Sequence, residues 1–188
     1  MDSFYSADEL EKMGFKKIGK NVRLSRKTSI YNISEISIGD HARIDDFALL
    51  SGCIEIGRNA HIAAYAALFA GKAGIIVGDF CGISARCSVY AASDDYSGQA
   101  MTNPTIPDQY RLVKEKRVVF QKHVIIGAGS TVLPGVVIEE GASFGAMSLI
   151  VRDAGPWMMY AGIPARELRP RERKPLLLEK EYLNDRMG

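Results

Sequence analysis

The chain lacks a cysteine framework. Its three cysteines, Cys53, Cys81 and Cys87, are odd in number and form no CxxC pair. This argues against a disulfide scaffold or a thiolate zinc site and fits a reducing compartment. No apolar run approaches the ~18 residues that a membrane-spanning helix needs. The opening Met1-Asp2-Ser3-Phe4 has no basic stretch followed by an apolar one, so no secretory leader is expected and the predicted location is the cytoplasm. The formal net charge is only +2, which by itself gives no reason to expect nucleic acid or a membrane surface as partner. What charge asymmetry exists is local: Arg166, Arg169, Arg171, Arg173 and Lys174 crowd near the C-terminus. The chain has only three histidines, His41, His61 and His123, and no two are close in sequence, so no metal site is expected. With 47% hydrophobic and 24% charged residues over 188 positions, the composition is that of one ordinary globular domain, 1–188.

What the chain does have is a period of six. Stepping by six from Ile38 gives Ile44, Leu50, Ile56, Ile62 and Leu68, all aliphatic. The frame resumes at Val77, Ile83 and Val89, and again at Phe120, Ile126, Val132, Ile138, Phe144 and Ile150. Four residues after each there is usually a small one, such as Ala42, Ala48, Ala60, Ala66, Cys81, Cys87, Ser130, Ala142 or Ser148. Six fits neither the helical period nor simple strand alternation. It fits a short strand plus a turn, three of which make a triangular coil. The aliphatic points inward, and the small residue lets the chain round the corner. Coils then stack at the strand spacing of roughly 4.8 Å, and each buries its apolar face only against its neighbours. The expected class is therefore all-β, a parallel β-helix.

The coils are predicted at 18–37 (irregular), 38–55, 56–76, 77–94, 120–137 and 138–155, so the solenoid covers 18–94 and 120–155. Residues 95–119 carry no hexad pattern and are read as a loop projecting from the prism. Ser6-Ala7-Asp8-Glu9 is a capping box predicting a helix over Ala7 to Met13 within an N-terminal capping region, 1–17. Residues 156–188 form a C-terminal tail with a helix predicted over 176–184.

Four motifs then carry a resemblance. They are His123-Val124-Ile125-Ile126-Gly127, Leu133-Pro134-Gly135-Val136, Gly145-Ala146-Met147-Ser148-Leu149-Ile150 and Gly162-Ile163-Pro164-Ala165 followed by basic residues. They are similar to the runs "DNVWIG", "xPGV", "GAGSVV" and "GNPA" of the hexapeptide-repeat acyltransferases, in the maltose, galactoside and xenobiotic acetyltransferase branch. The resemblance spans about residues 38 to 170. It implies a left-handed coil, a homotrimer with sites between subunits, acetyl-CoA as co-substrate, and a sugar acceptor, with surface-polysaccharide (lipopolysaccharide) synthesis as the context. It further implies that Ile125, Gly127, Ala128, Gly145 and Ala146 lie along the coenzyme, with Arg152, Arg166 and Arg169 at its phosphate end. Turn geometry competes as the reason for the glycines, and a solvated face as the reason for the arginines.

The catalytic base is where the chain departs from that pattern. Acetyl transfer to a hydroxyl needs a general base, commonly histidine. The family's histidine follows the third face of the middle coil, and counting along the repeat puts Asp94 there. That absence favours an amine acceptor, which is nucleophilic once deprotonated, while O-acetylation stays open. His61 is the first candidate base, in an outward column with Arg43, Gly82, Ile125 and Ser143. Asp94 is placed as its helper, His123 as a further catalytic candidate, and Asp95 and Tyr96 as acceptor contacts. A γ-type carbonic anhydrase shares the β-helix but needs a histidine-held metal. A non-catalytic scaffold is the alternative from another class, and coenzyme A binding separates it from an enzyme.

Overall fold

The computed structural model describes residues 3–185; the outermost residues of the predicted capping region and tail, 1–2 and 186–188, lie outside the described residues. The chain winds as a parallel β-solenoid with three faces. The second face is the most regular. Arg23–Leu24, Arg43–Ile44, His61–Ile62, Gly82–Ile83, Ile125–Ile126, Ser143–Phe144 and Met158–Gly162 stack in parallel, one strand per turn. The hexad register is the stacking register: Ile44, Ile62, Ile83, Ile126 and Phe144 lie directly above one another. Nearly all of the period-six aliphatics are buried, and so are the small residues four on, including Ala42, Cys81, Ser130 and Ser148. Burying a Val, Leu, Ile or Phe side chain stabilises by about 1.5–3 kcal/mol, so the repeated column accounts for the cohesion of the stack.

Two strands run through a corner. Leu49–Ile56 and Ala67–Val77 begin on the third face and end on the first, with register irregularities at Ser51–Ile54. Three extra residues between Phe69 and Ile75 fall at this corner, where the offset between paired residues grows from 18 to 21. The long interruption leaves from the same corner one turn later. There Ala92–Ser93 pairs antiparallel with Lys114–Glu115, and the first face resumes at Val118–Phe120. The predicted loop therefore has a ribbon at its base, because its two ends must return to adjacent positions in the stack.

The other two corners place non-glycine residues in the left-handed region. One column holds Asn21, His41, Asn59, Phe80, His123 and Trp157, the other Phe47, Tyr65, Arg86 and Met147. Such backbone is unfavourable for side chains with a Cβ. Stacking offsets the cost: Phe47 lies on Tyr65 with centroids 5.0 Å apart, and Phe80 on His123 at 5.3 Å.

Helix α1 (Ala7–Lys12) begins at Ser6, whose side chain accepts from the Glu9 N–H while the Glu9 carboxylate accepts from the Ser6 N–H. Helix α2 (Lys174–Asp185) starts two residues earlier than the sequence pattern suggests and lies against the first corner column.

Candidate active site

The second face stacks the predicted column Arg43, His61, Gly82, Ile125 and Ser143 in register and extends it by one coil to Arg23. His61 is half exposed, and its Nε2 lies 2.7 Å from Oδ2 of Asp45. An ionised carboxylate only accepts, so Nε2 carries the proton and Nδ1 is left for a ligand. Asp45 also accepts from Arg43 Nε at 2.6 Å. Burial alone would raise the Asp45 pKa, but the bonds from His61 and Arg43 more than offset it and hold the carboxyl below its usual range. The partner of His61 is thus Asp45 and not Asp94. The signal for it lay in the repeat itself, since Asp45 directly follows the inward Ile44 one coil below. At the other end Ser143 is buried under the final hairpin, and its Oγ has no hydrogen-bond partner among the described residues.

The corner following this face makes a second set of groups. Gly127 is partly exposed, and Ala128, Gly145 and Ala146 are exposed. A Cβ on Gly127 would fall on the Ala146 backbone nitrogen, so close stacking alone demands that glycine. On Gly145 a Cβ would meet the Ala161 Cβ at 3.1 Å and the Tyr160 carbonyl oxygen at 3.7 Å. The corner N–H groups of Ala64, Ala85, Ala128 and Ala146 donate to no acceptor within the chain among the described residues. Successive turns therefore present unpaired donors in a row beside Ser84 and Gly127. The sequence gives no residue-type signal for such a row, because it is a property of backbone geometry.

His123 stands elsewhere. It is 8% exposed, stacked on Phe80, and its Nε2 meets Glu179 of α2 at 2.7 Å. Its carbonyl accepts from Arg171 at 2.9 Å. The ring instead holds α2 to the corner, at the edge of a cavity of about 420 Å³ lined with Asn59, Phe80 and Tyr182.

The two aspartates at the base of the projecting loop differ. Asp94 is one-third exposed, accepts from the Asn103 N–H at 3.1 Å and faces Arg111 Nη2 at 3.3 Å. It lines a cleft of about 630 Å³ with Tyr90, Tyr96, Leu133 and Pro134. Asp95 is buried, accepting from Ser97 Oγ and the Gln99 N–H and sitting 3.5 Å from Lys114 Nζ. The Ser97 bonds above all hold its pKa at about 2. The structure therefore turns Asp95 inward, where it builds the loop. Tyr96 is 94% exposed beside the cleft. Within one chain the whole third face separates Asp94 from Ser84 and His61.

At the end of the solenoid Met158–Gly162 and Ala165–Pro170 form an antiparallel hairpin with a cis Ile163–Pro164 bond at its turn. Arg152 and Arg166 line one cavity of about 420 Å³ there, with Asp153 and Glu167. Arg169 is exposed opposite Met159, outside that cavity. Burial pushes the Cys81 thiol up to about 12 and raises that of Cys87, so neither supplies a thiolate nucleophile. Among the described residues no three His, Cys, Asp or Glu side chains converge as a metal site would, and no helix is long and apolar enough to cross a membrane.

No family model matches the chain. It is 41% identical over 183 residues to the dTDP-4-amino-4,6-dideoxy-D-glucose acyltransferase of Escherichia coli, covering 96% of this chain and 95% of the relative. This chain belongs to the hexapeptide-repeat acyltransferases. A second similarity is to AntD, an N-acyltransferase from Bacillus cereus solved with dTDP and 3-hydroxybutyryl-CoA. Here the identity is 52% and the TM-score 0.97, with both chains fully covered. The maltose O-acetyltransferase of Clostridium difficile, at 17% identity and a TM-score of 0.57 over 88% of this chain and 75% of that one, shares the fold alone. The chain is thus an acyltransferase that uses an acyl-CoA donor and a sugar acceptor, and the scaffold alternative falls away. This chain carries Asp94 where counting along the repeat places the family's usual histidine.

Proposed function

We propose that this acyltransferase forms an amide, moving an acyl group from coenzyme A to the amino group of a dTDP-linked 4-amino-4,6-dideoxy sugar. The observation that carries the reading is Asp94 in place of a histidine, at the edge of an open cleft. An amine needs no base strong enough to activate a hydroxyl, only a group that accepts the proton it sheds. The names of two similar proteins support the acceptor: the Escherichia coli enzyme is named for dTDP-4-amino-4,6-dideoxy-D-glucose, and AntD has been crystallised with that sugar nucleotide and coenzyme A. AntD has also been crystallised as S84A, S84C, S84T, D94A and D94N variants. This chain carries Ser84 and Asp94 at the same numbers.

In the proposed reaction the free amine attacks the thioester carbonyl. The C–N bond forms, the C–S bond breaks, and one proton passes from nitrogen through Asp94 to the departing sulfur, giving amide and free thiol. Ser84 lies beside the unpaired Ala85 N–H, and this donor with that of Ala128 polarises the carbonyl. The pantetheine arm runs over Ile125, Gly127, Ala128, Gly145 and Ala146, and its phosphates reach Arg152 and Arg166, with Arg169 on the outer strand. Because one chain holds Ser84 and Asp94 apart, the complete site lies between subunits of a homotrimer. The exposed corner of Phe47, Tyr65 and Met147 supports packing about the threefold axis. We place the enzyme in the cytoplasm, in keeping with its three free thiols, and its product in surface-polysaccharide synthesis.

The test is thiol release from acetyl-CoA and from 3-hydroxybutyryl-CoA with dTDP-4-amino-4,6-dideoxyglucose, followed by product mass. A product heavier by one acyl group supports the reading and identifies the donor. No thiol release with that acceptor, alongside release with a hydroxyl sugar, overturns it.

A further inference from the structure

The N-terminal half of the second face holds a charged cluster outside the acyl-transfer chemistry. Going down the outward column from Gly82, successive coils bring His61, Arg43 and Arg23. His61 and Arg43 share Asp45, which fixes both side chains toward the outer surface. Arg23 and Arg43 both approach the Phe4 ring, at 4.4 and 5.5 Å. Arg23 has no carboxylate partner among the described residues, whereas Arg26 pairs with Glu9 and Lys27 with Asp46. Two guanidinium groups and an imidazole against one carboxylate leave the cluster with net positive charge. Above it the column is bare: a Cβ on Gly82 would touch only Ile125, at 3.7 Å.

We propose that His61, Arg43 and Arg23 form the binding site for the diphosphate of the acceptor, with Asp45 as the residue that positions them. The inference rests on the nucleotide-linked acceptor proposed above. Its geometry follows from the coil spacing. If the coenzyme occupies the C-terminal side of Ser84, the acceptor enters from the N-terminal side. A sugar ring spans roughly one coil, about 4.8 Å, so an amine at Ser84 places the anomeric oxygen level with His61. The two phosphates then lie beside His61 and Arg43, where the planar guanidinium suits paired phosphate oxygens, and Arg23, one coil further down at the same Phe4 ring, reaches the phosphate farther from the sugar. With Nε2 committed to Asp45, Nδ1 is the ring atom left to face the phosphate. On this account His61 is a binding residue, and the proton of the amine goes elsewhere.

The experiment is calorimetric binding of dTDP, and separately of coenzyme A, to the full-length enzyme and to His61→Ala, Arg43→Gln and Arg23→Gln. Arg23→Gln leaves the Asp45 pairs in place, so it reports even if the other two disturb the face. We expect dTDP affinity to fall roughly tenfold or more in each variant, the loss of a charge-assisted hydrogen bond. Coenzyme A affinity stays as in the wild type, and in turnover the KM for the amino sugar rises while kcat at saturation holds. Wild-type enzyme that binds dTDP, with all three variants binding it equally well, overturns the inference and leaves the proposed function standing. So does a His61→Ala variant whose kcat collapses with dTDP affinity intact and whose pH profile loses its acidic limb, which makes His61 the base. Wild-type enzyme that binds coenzyme A but no dTDP removes the nucleotide-linked acceptor itself, and the inference falls with it.

Discussion

Asp94 does two things at once, and a single substitution separates them. Its carboxylate accepts from the Asn103 N–H and faces Arg111, so it helps hold the projecting loop, and it also edges the cleft beside Tyr96. Asp94→Asn retains an oxygen acceptor for the loop but loses the charge and the capacity to take a proton. We expect kcat to fall on the order of 10²-fold, the lower range for removal of a general base, with the KM for acyl-CoA unchanged. Steady-state kinetics decide this, and a fall of less than about threefold sets Asp94 outside the chemistry. Gly145 tests the donor side. Its neighbour across the next coil is the Ala161 methyl, and the position faces outward. Gly145→Trp puts an indole over the proposed pantetheine path, and calorimetry is expected to show coenzyme A binding lost with dTDP binding kept. At this scale the sequence is informative about columns and poor about partners. Register placed His61 with Gly82 and Ile125 correctly, and the same counting places Asp45 within reach of His61. Nothing in the local sequence of His123 foretells Glu179, 56 residues away.

That contact belongs to the scale of elements, where α2 closes over a corner the hexads leave apolar. Phe80, His123 and Trp157 sit there in left-handed backbone and need a cover. The helix supplies it through Tyr182, which accepts from Asn59 at 2.8 Å, and through Glu179 against Lys122 and His123. Burial pushes the Glu179 pKa up, but the bonds from Lys122 and His123 outweigh it, and the net shift is downward from 4.5. A carboxylate with a lowered folded value adds stability that is complete above its ordinary pKa and is lost as the pH falls through the folded one. Docking of α2 should therefore weaken below pH 4.5, read as faster hydrogen exchange across 174–185 while the solenoid stays protected. Glu179→Gln should cost about 1–3 kcal/mol of docking free energy at neutral pH and flatten that acid dependence. Equal protection in the variant and the wild type at both pH values rules the clamp out. The sequence predicted this helix from its composition and could not say what it covers, because a weakly amphipathic segment does not reveal its partner. The coils were legible for the opposite reason: each face is specified by an aliphatic every sixth residue, and a one-residue slip would expose the whole set.

The molecule as a whole divides its chemistry between faces. The donors at Ala85 and Ala128, with Ser84, belong to the second face and its corner, while Asp94 leaves from the far edge of the third. No bending of one prism brings them together, since the packed core between them resists deformation. The proposed cyclic trimer would resolve this without new elements, because a heterologous contact would set the second face of each copy against the third face of the next. The arrangement makes a sharp prediction. Ser84→Ala and Asp94→Asn chains, each impaired alone, should recover activity when unfolded together and refolded as a mixture. Ser84 and Asp94 at any one site then come from independently chosen chains, so roughly a quarter of sites in an equal mixture carry both wild-type residues. Recovery to about that fraction of wild-type kcat, in a species of trimer mass, means that the site is shared between subunits. If instead the mixture performs as the average of the two parents, each chain carries its own complete site. Asp94 would then have to reach Ser84 by a movement of the 94–117 loop, and a crosslink pinning that loop to its own third face would abolish turnover.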